Sequence, residues 1–159
     1  MPQNYTAVES AYTRPADTTP YTSGDLVANS TTAGSVTALS FTISGLTKNV
    51  GMVRFVRLRT NNATVANGAF RVHLFNSTPL APTNGDNGAF VPNGISGYLG
   101  SADITLIGGV SAGGGVVTAA IPVTGCTADV VYGLLEARGA YVPASGEVVT
   151  VQVTVEISY

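Results

Sequence analysis

At 159 residues the chain fits one domain, which buries roughly 70% of the surface its unfolded form exposes and so builds a core without disulfide or metal staples. Charged residues make up only 10% of the chain, against about 25% in ordinary soluble domains, and Thr, Ser, Asn and Gly fill the deficit. Seven basic and nine acidic residues leave a net charge of −2, which excludes the broad basic footprint that nucleic acid or an anionic membrane requires.

A surface so poor in charge suits either a monomer solvated through hydroxyls and amides or a subunit covered by its neighbours, because interface cores are depleted in charge. Cys126 is the lone cysteine, so no internal disulfide forms and folding in a reducing compartment is expected. No run is apolar and long enough for a transmembrane helix, and the opening MPQNYTAVES lacks the basic and apolar regions of a signal peptide, so synthesis in the cytoplasm is expected.

Residues 1–34 hold Tyr5, Tyr12 and Tyr21 together with Pro2, Pro15 and Pro20, with few aliphatics between them. Proline fixes its own φ and pushes the preceding residue toward extended backbone, so this segment is expected to be an extended arm. The arm either wraps its own domain or reaches a neighbouring subunit with its tyrosines as anchors. The rest, 35–159, reads as a single domain.

Strand patterning begins at Val36: Leu39, Phe41 and Ile43 alternate with Ser40, Thr42 and Ser44, and Gly45, Thr47, Lys48 and Asn49 break the run. A second strand is expected over 50–59. In a third, Phe70, Val72 and Leu74 occupy one face and Arg71, His73 and Phe75 the other, and the two are expected to form a hairpin or lie as near neighbours. The stretch 76–97 is dense in Asn, Pro and Gly and reads as a long surface excursion with a short strand at 89–91. Strands at 102–107, 116–123 and 129–137 follow, separated by the glycine run 108–116 and a turn at 124–127. The apolar run from Val130 to Leu135 suits a central strand.

The last stretch, VVTVQVTVEISY over 148–159, alternates most clearly: Val149, Val151, Val153, Val155, Ile157 and Tyr159 against Thr150, Gln152, Thr154, Glu156 and Ser158. A period of two with one wet face belongs to an antiparallel sheet. With about eight such strands, and turn signals roughly every 8 to 12 residues, the expected fold is all-β: an antiparallel β-sandwich of jelly-roll type with an extended N-terminal arm.

Candidate chemistry is sparse. The glycine run lacks the Lys-Ser/Thr pair or following helix of a phosphate site and reads as a flexible or tightly turning loop. Arg54, Arg57, Arg59 and Arg71 lie within eighteen residues of one another, with Arg57 and Arg59 on one face by parity. They either pair with carboxylates such as Asp103, Asp129, Glu136 and Glu156 or stay in water, or else contact an acidic partner subunit through arginine's planar fork. His73 is the single histidine, so neither a histidine metal site nor a Ser-His-Asp triad has its parts. Asp103, Asp129 and Glu136 lack the spacing of a calcium loop or a paired acid and base. Cys126 is expected to be structural and buried. No catalytic residue, cofactor or metal is expected, and a chain with no tryptophan lacks the flat aromatic platform that most favours sugar binding.

The segment Ala11-Tyr12-Thr13-Arg14-Pro15-Ala16-Asp17-Thr18-Thr19, followed by Tyr21 and Gly24-Asp25-Leu26-Val27-Ala28-Asn29, resembles the N-terminal signature of small virion proteins encoded by tailed bacteriophages near the capsid gene. The later pattern of an arginine-bearing strand, a Pro/Asn/Gly-rich loop and a terminal alternating strand is similar too. The resemblance implies a head decoration or cement protein: a β-sandwich, homotrimeric, on the outer capsid surface, clamping adjacent subunits of the major capsid protein, with no catalytic residues. The residues expected at the capsid or subunit interface are Tyr5, Tyr12, Arg14, Tyr21, Arg54, Arg57, Arg59 and Arg71. Deleting 1–34 is expected to leave a folded domain that no longer binds capsids. A tail or fibre module that binds a host glycan and a free-standing sugar-binding domain are the alternatives.

Overall fold

The computed structural model describes residues 4–46, 48, 50–79, 82–91, 96–109, 112–126 and 128–158. Readings that fall on Pro2, Thr47, Asn49, Pro92, Asn93, Gly94, Thr127 and Tyr159, and on the Val110-Ser111 part of the glycine run, lie outside the described residues. The chain forms β1 (Asn4–Thr13), β2 (Leu26–Val27), β3 (Leu39–Thr42), β4 (Val50–Thr60), β5 (Ala69–Phe75), β6 (Tyr98–Thr105), β7 (Ile107–Gly108), β8 (Gly113–Val123), β9 (Val130–Ala137) and β10 (Val148–Ser158). Among the described residues the only helix is a single 3₁₀ turn, Ala33–Ser35, and no helix is long and apolar enough to cross a membrane.

The strands make two antiparallel sheets, in the order β1-β10-β4-β8-β7 and β2-β9-β5-β6, with β3 also on β9. β2 pairs with Leu135 and Glu136, and β3 with the earlier residues Val130 to Gly133 of the same strand. The two therefore share one sheet position. Counting them as one and leaving out the two-residue β7, the sheets read 1-8-3-6 and 2-7-4-5. That is the order of a jelly roll, so the expected all-β sandwich is present.

This winding passes from sheet to sheet at most connections; apart from β2 and β3, which share one position, and the short β7 beside β8, β5 and β6 are the consecutive strands that stay within one sheet among the described residues. It corrects the expected hairpin of β4 and β5. They are consecutive but belong to opposite sheets, with β4 between β10 and β8 and β5 between β9 and β6.

The core lies between the sheets. Val53, Val56 and Leu58 of β4 and the odd-numbered apolar residues of β10 meet Phe70, Val72 and Leu74 of β5 and Val131 and Leu135 of β9, all buried. Full burial of each such side chain stabilises the fold by about 1.5–3 kcal/mol relative to exposure. β9 is central, as its two-sided apolar run implies, with β5 on one edge and β2 and β3 on the other. Part of the glycine run proves to be strand: Gly113, Gly114 and Gly115 belong to β8, where a Cβ on Gly115 would overlap the Thr105 carbonyl.

The N-terminal segment is extended as expected, yet it is woven into the sandwich. β1 pairs over its whole length with β10, from Asn4 opposite Ile157 to Thr13 opposite Val148. Beyond it, Tyr21, Leu26, Val27 and Ala28 are buried in the core.

Candidate functional site

The two outer sheet faces differ in cover, and the barer one is the candidate site. On β4 the alternation slips by one residue at Arg54, because Thr154 of β10 pairs with Phe55 and Val155 with Val53. This bulge turns Val53 and Val56 both inward and leaves Phe55, Arg57 and Arg59 pointing outward. The register sets these side chains in rows across four strands. Ala7, Thr154, Phe55 and Thr118 form one, Glu9, Gln152, Arg57 and Val116 the next, and Ala11, Thr150, Arg59 and Gly114 a third. Phe55 is 44% exposed, Val116 59% and the adjacent Ile107 of β7 77%.

Charges on this face are few and mostly matched. Glu9 accepts from Arg59 at 2.6 Å and from Gln152 at 3.0 Å through one oxygen, Oε1, and Arg54 pairs with the covered carboxylate of Glu156. Arg57 has no carboxylate partner among the described residues. Two open depressions meet at Arg57 and Val116. One, of about 390 Å³, also takes in Phe55, Thr118 and Gln152, and the other, of about 480 Å³, also takes in Arg59, Ile107 and Gly114.

The middle of the opposite sheet is covered by its own chain. The outward residues of β5 are Arg71, His73 and Phe75, and Phe90 of the long β5–β6 connection folds back over His73. The Phe90 ring stacks on His73 at 4.5 Å between centroids, and Tyr98 meets the edge of Phe75 at 5.4 Å. His73 contacts Glu136 through Nε2 at 2.8 Å and the Tyr98 hydroxyl through Nδ1 at 3.3 Å. Burial holds the His73 pKa below its ordinary value, outweighing the pull of Glu136. The neutral ring therefore donates from Nε2–H and leaves Nδ1 to accept from Tyr98. Burial pushes the Glu136 carboxyl up, but hydrogen bonds from His73 and Arg138 outweigh it and bring the pKa below the usual value. Arg71 forms a two-pronged pair with Asp103 directly across the strands, at 2.7 and 2.8 Å.

The remaining interface candidates are divided between surface and interior. Tyr5 stands exposed on β1. Tyr12 is half-buried, and its hydroxyl donates to the Val27 carbonyl at 2.7 Å, tying the two sheets together at their edge. Arg14 and Tyr21 are corrected outright, since both are buried and present nothing to a partner. Arg14 Nη2 donates to Asp86 Oδ2 at 2.6 Å, and the other oxygen of Asp86 accepts from the Tyr21 hydroxyl at 2.7 Å and the Ala28 N–H at 2.8 Å. Arg14 Nε also reaches the Tyr21 hydroxyl. The network locks the N-terminal segment to the long loop, where Gly85 is required because a Cβ there would overlap the Thr31 backbone. Beside it, Tyr21 stacks on Tyr141 at 6.5 Å, and the buried carboxylate of Glu147 accepts from Tyr141, Thr60 and the Ala144 N–H. Burial, first of all, raises the pKa of both tyrosines.

The four arginines of the expected basic hairpin are thus not one patch: Arg54, Arg57 and Arg59 lie on one sheet and Arg71 on the other. Their pairing with Glu156, Glu9 and Asp103 satisfies three of them within the chain. Cys126 is buried, and burial pushes its thiol pKa up. Among the described residues no group of three His, Cys, Asp or Glu is placed to hold a metal ion. The strand 89–91 is reduced to a bridge between Ala89 and Asp25. Sequence reasoning missed the exposed apolar residues Phe55, Val116 and Ile107. A signal for Phe55 existed: Val53, Val56 and Leu58 cannot all face one side at strict period two, which implies a slip between them.

No protein-family model matches the chain, and no curated protein matches it in sequence. Among solved structures it is similar to a chain of the cyanophage Pam1 capsid asymmetric unit, with 14% identity over 98% of this chain and 86% of that one and a TM-score of 0.39. It is similar also to the PRD1 vertex protein P5, with 11% identity over 96% of each chain and a TM-score of 0.33. Likeness at this level assigns neither family nor function.

Proposed function

We propose that this chain is a structural virion protein, a cement or decoration protein that acts as a homotrimer on the outer surface of a tailed-phage capsid and bridges neighbouring subunits of the major capsid protein. The role is mechanical, with no catalysis and no cofactor, and the chain is made in the host cytoplasm before it joins the particle.

The observation that carries this reading is the bare outer face of the β1-β10-β4-β8 sheet. A fastener needs area and many modest contacts. A face built from Ala, Thr, Gly, Val and Phe, with most of its charges already matched, leaves water without the large penalty of desolvating free ions. Copies in an oligomer then multiply weak individual contacts. The phage assignment is supported by the resemblance of residues 11–29. In this fold the tyrosines and arginine of that signature build β1 and the interior network, so the signature serves the scaffold and the binding falls to the bare face.

The test is stoichiometry in purified particles, by quantitative mass spectrometry. A cement protein is expected at a copy number comparable to that of the major capsid protein, and heads that lack it are expected to open at lower temperature. A handful of copies per particle points instead to a tail or fibre module, and absence from the particle overturns the reading.

A further inference from the structure

We infer that Arg57 is the anchor of the bare face and that its occupant is a carboxylate-bearing, partly apolar segment of the major capsid protein laid across β10, β4 and β8; this rests on the decoration reading above. Three observations converge on it. Arg14, Arg54, Arg59, Arg71 and Arg138 each have a carboxylate on this chain, whereas Arg57 has none among the described residues. The neighbouring acid in its own row, Glu9, is engaged by Arg59 and Gln152. Arg57 also stands where the two depressions join, between the exposed side chains of Phe55 and Val116, with Ile107 beyond.

A guanidinium set among exposed apolar side chains has the composition of an interface centre, in which Arg and aromatic anchors carry most of the energy. Its planar fork accepts a carboxylate through two parallel hydrogen bonds. Phe55, Val116 and Ile107 then supply the apolar contact that excludes water around the pair. A single arginine without a carboxylate partner on this face, among the described residues and in a chain of net charge −2, does not suit a polyanion, which needs several cations at once. Gly114, across from Arg59, leaves that part of the second depression without a side chain, so the occupant approaches the backbone of β8 directly.

The experiment is co-sedimentation of the full chain with heads purified from phage that lack it, comparing wild type, Arg57→Glu, Arg57→Lys and Arg71→Glu, with sedimentation velocity of each free protein. Arg57→Glu is expected to bind at least about tenfold more weakly. Arg57→Lys, which keeps the charge but loses the fork, is expected to fall between. Arg71→Glu, on the opposite sheet, is expected to bind like wild type. Wild type, Arg57→Glu and Arg57→Lys should share one urea midpoint, since Arg57 is exposed, and Arg71→Glu, which loses its pair with Asp103, should unfold at lower urea while staying folded without denaturant. Wild-type binding with unchanged Arg57→Glu binding overturns the anchor and leaves the decoration reading intact. No binding by wild type overturns both. A change in oligomeric state of Arg57→Glu at unaltered head binding assigns the face to a second copy and overturns this inference.

Discussion

The two outer faces of the sandwich are built from the same kind of strand and have opposite fates. On β5 the outward residues are Arg71, His73 and Phe75, and the chain covers them with its own loop and ion pairs. On β4 the outward residues are Phe55, Arg57 and Arg59, and all three are exposed. An aromatic ring is 2% exposed in the first setting, at Phe75, and 44% in the second, at Phe55. Cover is therefore a choice of connection: the β5–β6 connection, which stays within one sheet, is long and folds over His73 of that sheet, whereas the β7–β8 pair of the other sheet is joined by a short connection. The other sheet is left free to meet a partner.

The most drastic way to break this comparison is to remove residues 1–34. The sequence alone suggests a domain that folds without them, but because the segment supplies the whole of β1 together with buried Tyr21, Leu26, Val27 and Ala28, its loss is expected to exceed the about 5–15 kcal/mol of a typical domain's stability. Calorimetry of the truncated chain should show no cooperative transition; a sharp one would mean that β1 is dispensable. Next in size, Arg14→Met leaves Asp86 buried without its cation and is expected to cost about 3–5 kcal/mol, read from urea denaturation. A cost below about 1 kcal/mol would show that the network does not hold the loop.

On the covered side, Phe75→Ala is expected to cost about 3–5 kcal/mol, whereas Phe55→Ala on the bare side should stay within about 0.5 kcal/mol. Equal costs would erase the distinction between the faces. The covered face also titrates. His73 has a folded pKa below its ordinary value of 6.5, so above that pH the ring is neutral in both states. As pH falls, the unfolded chain takes up the proton first, and stability is lost down through the folded pKa. Glu136, held below 4.5, adds loss in the same direction at lower pH. Urea midpoints measured between pH 7 and 5 should fall for wild type and flatten for His73→Asn; a wild-type slope of the opposite sign would contradict the buried, neutral ring.

Much of the fold was legible because β10, β4, β5, β8 and β9 each bury one or both faces with β-branched or large apolar residues, and a period of two reports that directly. β1 was harder. Its half-buried side is Thr6, Val8, Ser10 and Tyr12, so hydroxyls dilute the alternation, and the prolines beyond it suggested a free arm. Partnership between strands was not legible at all, since a jelly roll pairs residues far apart in the chain: Arg14 meets Asp86 across 72 positions, and Arg54 meets Glu156 across 102. That is why four arginines close in sequence read as one patch and belong to two sheets. The bare face itself needed the bulge at Arg54, which decides that Phe55 points to water.

Whether the β4 face is the one that meets a capsid shell, as proposed, is measured directly by a cryo-EM map of the native particle at side-chain resolution. The expected result is shell density packed against Phe55, Arg57 and Val116, with Phe90, which covers His73, on the side turned to solvent. Shell density on the loop-covered sheet, with the β4 face open to solvent, would contradict it.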